Sequence, residues 1–253
     1  MKKMVVLIIV IGVIYVLPAL AAEGPRDEAW ASFIKAGFAY QEGQYDKAIA
    51  EYEHLRQQGL VSGALYYNLA NAYFKKGQVG KAILNYERAR EILPRDSDVL
   101  SNYKLTLSRK EQNFPLPRKS MIQRGVEGAL NYYTVNEFLV LTVLFTVMAG
   151  GLFLAALFFN WPRRKIWPVM TICLTLSVLC VTGVVVRMHL RAGAGFAVSS
   201  TEAFFEPRPD ATVHFTLKEG QTVKVLKREG AWLKIERPDQ KAGWVAANTV
   251  ETI

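Results

Sequence analysis

The hydrophobic pattern changes character three times along the 253 residues. Up to about residue 112 apolar positions recur every three to four residues with charged residues between them. This predicts amphipathic helices near 27–42, 45–57, 62–76, 79–92 and 97–112. Residues 138–159 and 166–186 are then unbroken apolar runs of 22 and 21 residues without a charge. From residue 197 the period drops to two. Val213, Phe215 and Leu217 alternate, then Val223 and Val225, with Lys-Glu-Gly220 and Lys-Arg-Glu-Gly230 as turns, and 232–235 and 243–245 follow. Short strands at this spacing predict a small β-barrel over 197–253.

The helical part repeats itself. Gly43 and Gly77, Ala48 and Ala82, and Tyr52 and Tyr86 each stand 34 residues apart. The second copy carries Leu69, Ala70, Tyr73, Gly77, Ala82, Tyr86, Ala89 and Pro94. The first carries Ala36, Tyr40, Gly43, Tyr45, Ala48, Tyr52 and Leu55, lacks the closing proline, and has Lys35 where the second has Leu69. Alanines let helices approach, tyrosines fill the gaps, the glycines supply a left-handed residue at helix ends, and Pro94 stops the last helix. The period and residues resemble tetratricopeptide (TPR) repeats, about 29–62 and 63–96. Residues 97–112, with Ser97 as N-cap and an apolar stripe of Val99, Leu100, Tyr103, Leu105 and Leu107, complete a domain 27–112 as its capping helix.

In such stacks the first helices line a concave face that takes extended peptides. The resemblance therefore implies a protein partner held by Tyr67, Asn68, Asn71 and Lys75, extended by Asn102 and Arg109. An asparagine there can hold a ligand backbone by two hydrogen bonds, or it can solvate the face or bond a neighbouring helix; both readings stay open.

A 22-residue helix is about 32 Å long, enough for a bilayer core of about 30 Å. The runs 138–159 and 166–186 are therefore expected to be transmembrane helices joined by a cytoplasmic loop, 160–165. Residues 1–21 have a basic start, an apolar core, Pro18 and small residues at Ala19 and Ala21, the layout of a signal peptide. An uncleaved anchor helix is the alternative. The formal net charge of +9 owes five charges to Lys2, Lys3, Arg163, Arg164 and Lys165, which orient a membrane protein and leave no phosphate-tracking stripe. No nucleic-acid partner is expected, and membrane lipid is. The basic loop stays in the cytoplasm, so the helical repeats and the barrel fall on the periplasmic side of a bacterial inner membrane. Arg187 and Arg191 on the outer flank weaken that bias.

Residues 113–137 read as a linker and an interfacial helix. FPLPRKS is stiff, and Ile122, Val126, Ala129, Leu130 and Tyr133 share one helical face, with Tyr132 and Tyr133 at headgroup depth. An ordinary extension of the first span is the other reading. RAGAGFAVSS, after the second span, reads as a short flexible connector. Cys173, Ser177 and Cys180 form a small-residue stripe on the second span, matched by Gly151 and Ala155 on the first.

Catalytic chemistry finds no constellation. His54, His189 and His214 lie in three different modules, no nucleophile-elbow or zinc motif occurs, and no charged side chain lies within either span. The expectation is a non-enzyme without cofactor or metal.

The order L-x-E-G-x-x-V-x-V (217–225), G-x-W-x-x-I (230–235) and G-W-V (243–245) resembles bacterial SH3-like (SH3b) domains. Residues 204–209, Phe-Phe-Glu-Pro-Arg-Pro, depart from the Arg-Ser-Gly-Pro turn frequent there. The resemblance raises peptidoglycan as a ligand, with Trp232 and Trp244 lining a groove; the alternative puts both tryptophans in the core. The whole order is that of a multi-domain membrane protein: signal peptide, α-helical TPR solenoid, two-helix transmembrane hairpin, small all-β SH3-like barrel. It resembles the BatE-type proteins of the bacterial aerotolerance (Bat) operon, most closely over NLANAYFKKGQVGKAILNYERAREILPRDSDV. That resemblance implies a scaffold in a membrane complex with von Willebrand factor A domain membrane proteins, a second TPR protein and a MoxR-type ATPase, serving envelope stress or oxygen tolerance.

Overall fold

A computed structural model describes residues 26–109, 120–158 and 163–253. The segment 1–21 expected as a signal peptide, the linker residues 113–119 and loop residues 160–162 lie outside the described residues. The chain falls into two compact units, one ending at Gly59 and one running from Leu60 to Ile253.

The first unit holds α1 (Arg26–Gln41) and α2 (Tyr45–Gln57). Gly43 between them has φ +77°, the left-handed value that a β-carbon disfavours. Ala36, Ala48, Tyr52 and Leu55 are buried, and the Phe33 and Tyr52 rings pack 5.6 Å apart. Lys35, in the place that Leu69 takes 34 residues later, is exposed and bonds Glu51 at 2.5 Å.

The second unit opens with α3 (Gly63–Lys75), α4 (Val79–Ile92) and α5 (Ser97–Ser108). Ser62 caps α3 by accepting the Leu65 N–H at 3.1 Å. Gly77, at φ +76°, turns the chain into α4. The cap of α5 is Asp96 rather than Ser97. Its carboxylate, one residue earlier, accepts the N–H groups of both Asp98 and Val99 at 3.0 Å.

Three helices follow: α6 (Met121–Tyr132), α7 (Val135–Phe158) and α8 (Arg163–Arg191). α6 does not extend the first span. The backbone is extended at Tyr133, and Thr134 and Glu137 cap α7 reciprocally: the Thr134 hydroxyl accepts the Glu137 N–H at 3.1 Å, and the Glu137 carboxylate accepts the Thr134 N–H at 2.7 Å. α8 begins at Arg163, so residues 163–165, expected as loop, are its first turn. Pro168 follows closely enough that the intrahelical bond it lacks lies near the helix start. Both helices are long and apolar enough to cross a membrane. Their seam carries the Thr146 and Ser177 hydroxyls, 2.9 Å apart, with Ala149, Cys173 and Ser177 buried. Gly151, expected in that seam, is exposed with open space around it. The seam row runs through residues 142, 146 and 149, and 151 points elsewhere on the turn.

The chain ends in an antiparallel sheet of seven strands: β1 (Ala194–Ala197), β2 (Thr201–Phe204), β3 (Val213–Leu217), β4 (Thr222–Glu229), β5 (Trp232–Glu236), β6 (Ala242–Ala246) and β7 (Val250–Thr252). Their order is β3-β2-β6-β5-β4-β1-β7. Ala197, Ala203, Phe215, Leu217, Val223, Leu233, Ile235, Val245 and Val250 form its core. The stretch expected to be a flexible connector is β1, paired with β4 on one side and β7 on the other. Phe196, Ala197 and Val198 are all buried. A strand covered on both faces has no alternation to read.

Candidate functional site

α3 presents Tyr67, Asn68, Asn71 and Lys75 at spacings that place them along one side of the helix. The structure separates this row into two groups. The Asn71 side-chain oxygen accepts from the Tyr86 hydroxyl of α4 and from the Asn102 amide of α5 at 3.3 Å. The same amide donates to the Tyr67 hydroxyl at 2.8 Å. Tyr67, Asn71 and Asn102 thus tie α3, α4 and α5 together, and the reading in which an asparagine bonds a neighbouring helix describes them. Asn68 makes no such bond among the described residues, and Lys75 is exposed at the end of α3. Arg109, just past α5, places its guanidinium 4.5 Å from the Phe74 ring centroid, a cation–π contact that leaves the charge at the surface.

α4 is where the modules meet. Ile83 and Leu84 pack with Phe196 and Val198 of the β1 region, joined by Val79 and Tyr103. Gly80 stands at the closest approach. Its N–H donates to the Glu219 carboxylate at 2.7 Å, and a β-carbon there would be driven into the Ala197 carbonyl and lie 3.0 Å from the Val198 Cα. Two turns further along the contact, Arg88 donates to the Thr252 carbonyl at 2.8 Å and reaches Glu251 at 3.5 Å.

The last turn of α4 meets the end of the apolar helices. Glu91 accepts from Arg187 at 3.0 Å and also pairs with Arg191. Arg187, 2% exposed, further donates to the Leu130 carbonyl at 3.1 Å and to that of Tyr133. Arg95 binds Glu137 at the start of α7. Arg187 and Arg191, the flank charges noted in the sequence, thus both have partners here.

Beside them, Arg90 pairs with Glu87 and lies over the Tyr103 ring, 5.4 Å from its centroid. Burial works against the Arg90 charge, but the Glu87 carboxylate outweighs it and holds its pKa above the ordinary value. Burial, aided by the same carboxylate, raises that of the Tyr103 hydroxyl. Both groups therefore keep their protons throughout the physiological range.

On the barrel, Trp244 is buried at 9% exposure, opposite Phe204 in the sheet register. It belongs to the wall of the barrel. Trp232 is half-buried and meets Phe204 edge-on, with centroids 5.7 Å apart. Phe205 was not singled out from the sequence, yet it is 57% exposed and stacks on His214 at 4.1 Å. Its signal was the second aromatic of the Phe-Phe pair, where the turn departs from the SH3b pattern. Among the described residues no three His, Cys, Asp or Glu gather as a metal site.

The comparisons agree with this geometry in two places. Residues 64–96 match the tetratricopeptide repeat family. Residues 205–251 match the bacterial SH3 domain family. The first match covers α3 and α4, the helices that hold the Asn71 node and the Gly80 contact. The second covers the barrel from Phe205 to Glu251 and leaves out β1, the strand that α4 packs on. No curated protein sequence matches this chain.

Proposed function

We propose that the chain is a non-enzymatic scaffold anchored in the bacterial inner membrane, which docks protein partners through its TPR face and its SH3-like barrel on the periplasmic side. One observation carries this reading. α4 is bonded at once to the barrel, through Gly80–Glu219 and Arg88–Thr252, and to the end of the apolar hairpin, through Glu91–Arg187. A scaffold needs a fixed geometry between docking face and anchor, and these bonds supply it. The cations Lys75 and Arg109, at the far end of the α3 row that includes Asn68, favour a partner segment with carboxylates. The resemblance to BatE-type proteins supplies the partner class: von Willebrand factor A domain membrane proteins and the other products of a Bat-type operon, in an envelope-stress or oxygen-tolerance complex.

The test is recovery of partners with the full chain in mild detergent, beside an Asn68→Ala/Lys75→Ala/Arg109→Ala variant. The expected result is von Willebrand factor A domain proteins recovered by the wild type and lost from the variant. Equal recovery by both overturns the assignment of the face, and recovery of nothing by either overturns the scaffold.

A second reading, peptidoglycan binding by the barrel, draws on exposed Phe205 and half-exposed Trp232. Co-sedimentation of the full chain in lipid nanodiscs with purified wall, reduced in a Phe205→Ser/Trp232→Ala variant, is its expected signature.

A further inference from the structure

Among the described residues, α6 is the one α-helix that buries no side chain. Its sequence, MIQRGVEGALNY, is divided lengthwise. Ile122, Val126, Ala129 and Leu130 fall within one arc, and Gln123, Arg124, Glu127 and Asn131 within the opposite one. Met121 and Ile122 are 81% and 80% exposed, and Val126 is half exposed. Such a helix does not hold itself in water. Twelve residues are too few for stability alone, and Gly125 and Gly128 each cost about 1 kcal/mol relative to alanine. A capping box, Ser120 with Gln123, fixes where it starts but supplies no surface for its apolar side.

The polar side and the far end identify that surface. Asn131 accepts from Arg191 at 3.3 Å, and Arg187 binds the Leu130 and Tyr133 carbonyls. The end of α6 is thus fastened to the end of α8 through polar groups. Two residues later α7 begins, and its Leu139, Val140 and Val143 are exposed apolar side chains. The apolar side of α6 therefore continues onto the apolar surface of the hairpin. Tyr132 and Tyr133, rings 5.0 Å apart, stand at the corner, with Arg95 5.3 Å above Tyr132. Aromatic rings with a polar tip beside a cation suit the headgroup layer. Arg124 and Glu127 cancel, so α6 carries no net charge to draw it to anionic lipid.

We propose that α6 lies flat in the interfacial layer of the bilayer, on the barrel's side, with Ile122, Val126 and Ala129 toward the acyl chains and Arg124 and Glu127 toward water. Its occupant is the lipid surface itself, bound through apolar contact and not through lipid charge. This rests on α7 and α8 crossing the membrane, a premise that the experiment checks separately.

The experiment uses the full chain in lipid vesicles, with Cys173→Ala and Cys180→Ala removing the native thiols. Single spin labels are placed through Ile122→Cys, Arg124→Cys, Val126→Cys and Glu127→Cys, and through Val147→Cys in mid-α7. Accessibility is read with oxygen, which partitions into lipid, and with a water-soluble nickel chelate. The expected oxygen-to-nickel ratio is severalfold higher at 122 and 126 than at 124 and 127. It is expected to be unchanged when phosphatidylglycerol is added to phosphatidylcholine vesicles. High nickel access at all four positions, with Val147 in lipid, overturns the proposal and leaves the spans standing. Shielding of 122 and 126 from both reagents means a protein surface covers α6, which also overturns it. A ratio that rises only with anionic lipid refutes charge-independent binding. A water-exposed label at Val147 removes the premise itself.

Discussion

α2 and α4 occupy equivalent places 34 residues apart, and they are buried to very different extents. α2 buries Ala48, Tyr52 and Leu55, one stripe at helical spacing. α4 buries the matching Ala82, Tyr86 and Ala89, and in addition Gly80, Ile83, Leu84, Asn85 and Glu87. The shared three are what a helical repeat needs for its own packing. The additional ones report what covers α4 from outside the repeat. Ile83 and Leu84 meet the β1 region, and Gly80 meets Glu219 and the Ala197 carbonyl. At three of these positions α2 has Asp46, Ala50 and Glu51 where α4 has Gly80, Leu84 and Asn85. A helix that would otherwise turn one side to solvent has been converted into the seat of a barrel.

The largest effect should come from giving α4 the residue that α2 carries. Gly80→Asp places a side chain against the Ala197 backbone and a carboxylate beside that of Glu219. Overpacking costs about 1–3 kcal/mol, and an unpaired buried charge adds to it. The expected outcome is release of the barrel from α4, seen as faster hydrogen exchange over both α4 and β1 and a fall of the thermal midpoint in detergent. The reciprocal Asp46→Gly, at an exposed position, should cost clearly less, since only helix propensity and surface electrostatics change there. Equal effects of the two substitutions would dissolve the contrast between the helices.

The same contrast marks what sequence can disclose. Alanines and tyrosines at a fixed 34-residue spacing are legible because a repeat packs on itself and its partners recur with the period. Strands β3 to β5 are legible because the outer side of each is wet enough to alternate, whereas β6, buried at three successive residues, is read from its Gly-Trp-Val order. Gly80 and Glu219 touch across 139 residues, and neither carries a mark of the other. β1 was hidden because it is sandwiched between the barrel and α4. The asparagines of α3 looked alike, and only the fold tells Asn71, held by Tyr86 and Asn102, from Asn68. Three residues did carry a readable hint. Leu84 is a large apolar side chain on what the repeat pattern makes an outer position, and Arg187 and Arg191 are positive charges on the flank where the orientation expected from the sequence disfavours them.

Leu84→Ala restores the residue that α2 has at Ala50 and is the gentler form of the same test. Removing a fully buried leucine side chain costs about 2–4 kcal/mol, depending on how far the site closes. Since Leu84 is 1% exposed against Phe196 and Val198, the loss should appear as weakened protection of the α4 and β1 amides. Exchange in α2 should stay as in the wild type. A change of similar size in α2 would mean that Leu84 serves the repeat as a whole and not the barrel contact.

The smallest effect is a dependence on pH that belongs to the barrel side alone. Arg237, 6% exposed, binds the Asp239 carboxylate at 2.6 Å and 3.0 Å. Hydrogen bonding from Arg237 holds the Asp239 pKa below its ordinary value. A depressed carboxylate stabilises the fold fully above its unfolded pKa of about 4 and loses that contribution as pH falls through the lower folded value. Arg237 is buried but Asp239 keeps part of its carboxylate in water, so screening holds the contribution to about 1 kcal/mol. Lowering the pH from 6 to 3 should therefore loosen the barrel slightly, and Asp239→Asn should reduce that loss while starting from a less stable barrel at pH 6. Because α4 borrows its additional burial from the barrel, its outer amides should follow the same titration and those of α2 should not. An Asp239→Asn chain with an undiminished acid response in α4 would uncouple α4 from the barrel it packs against.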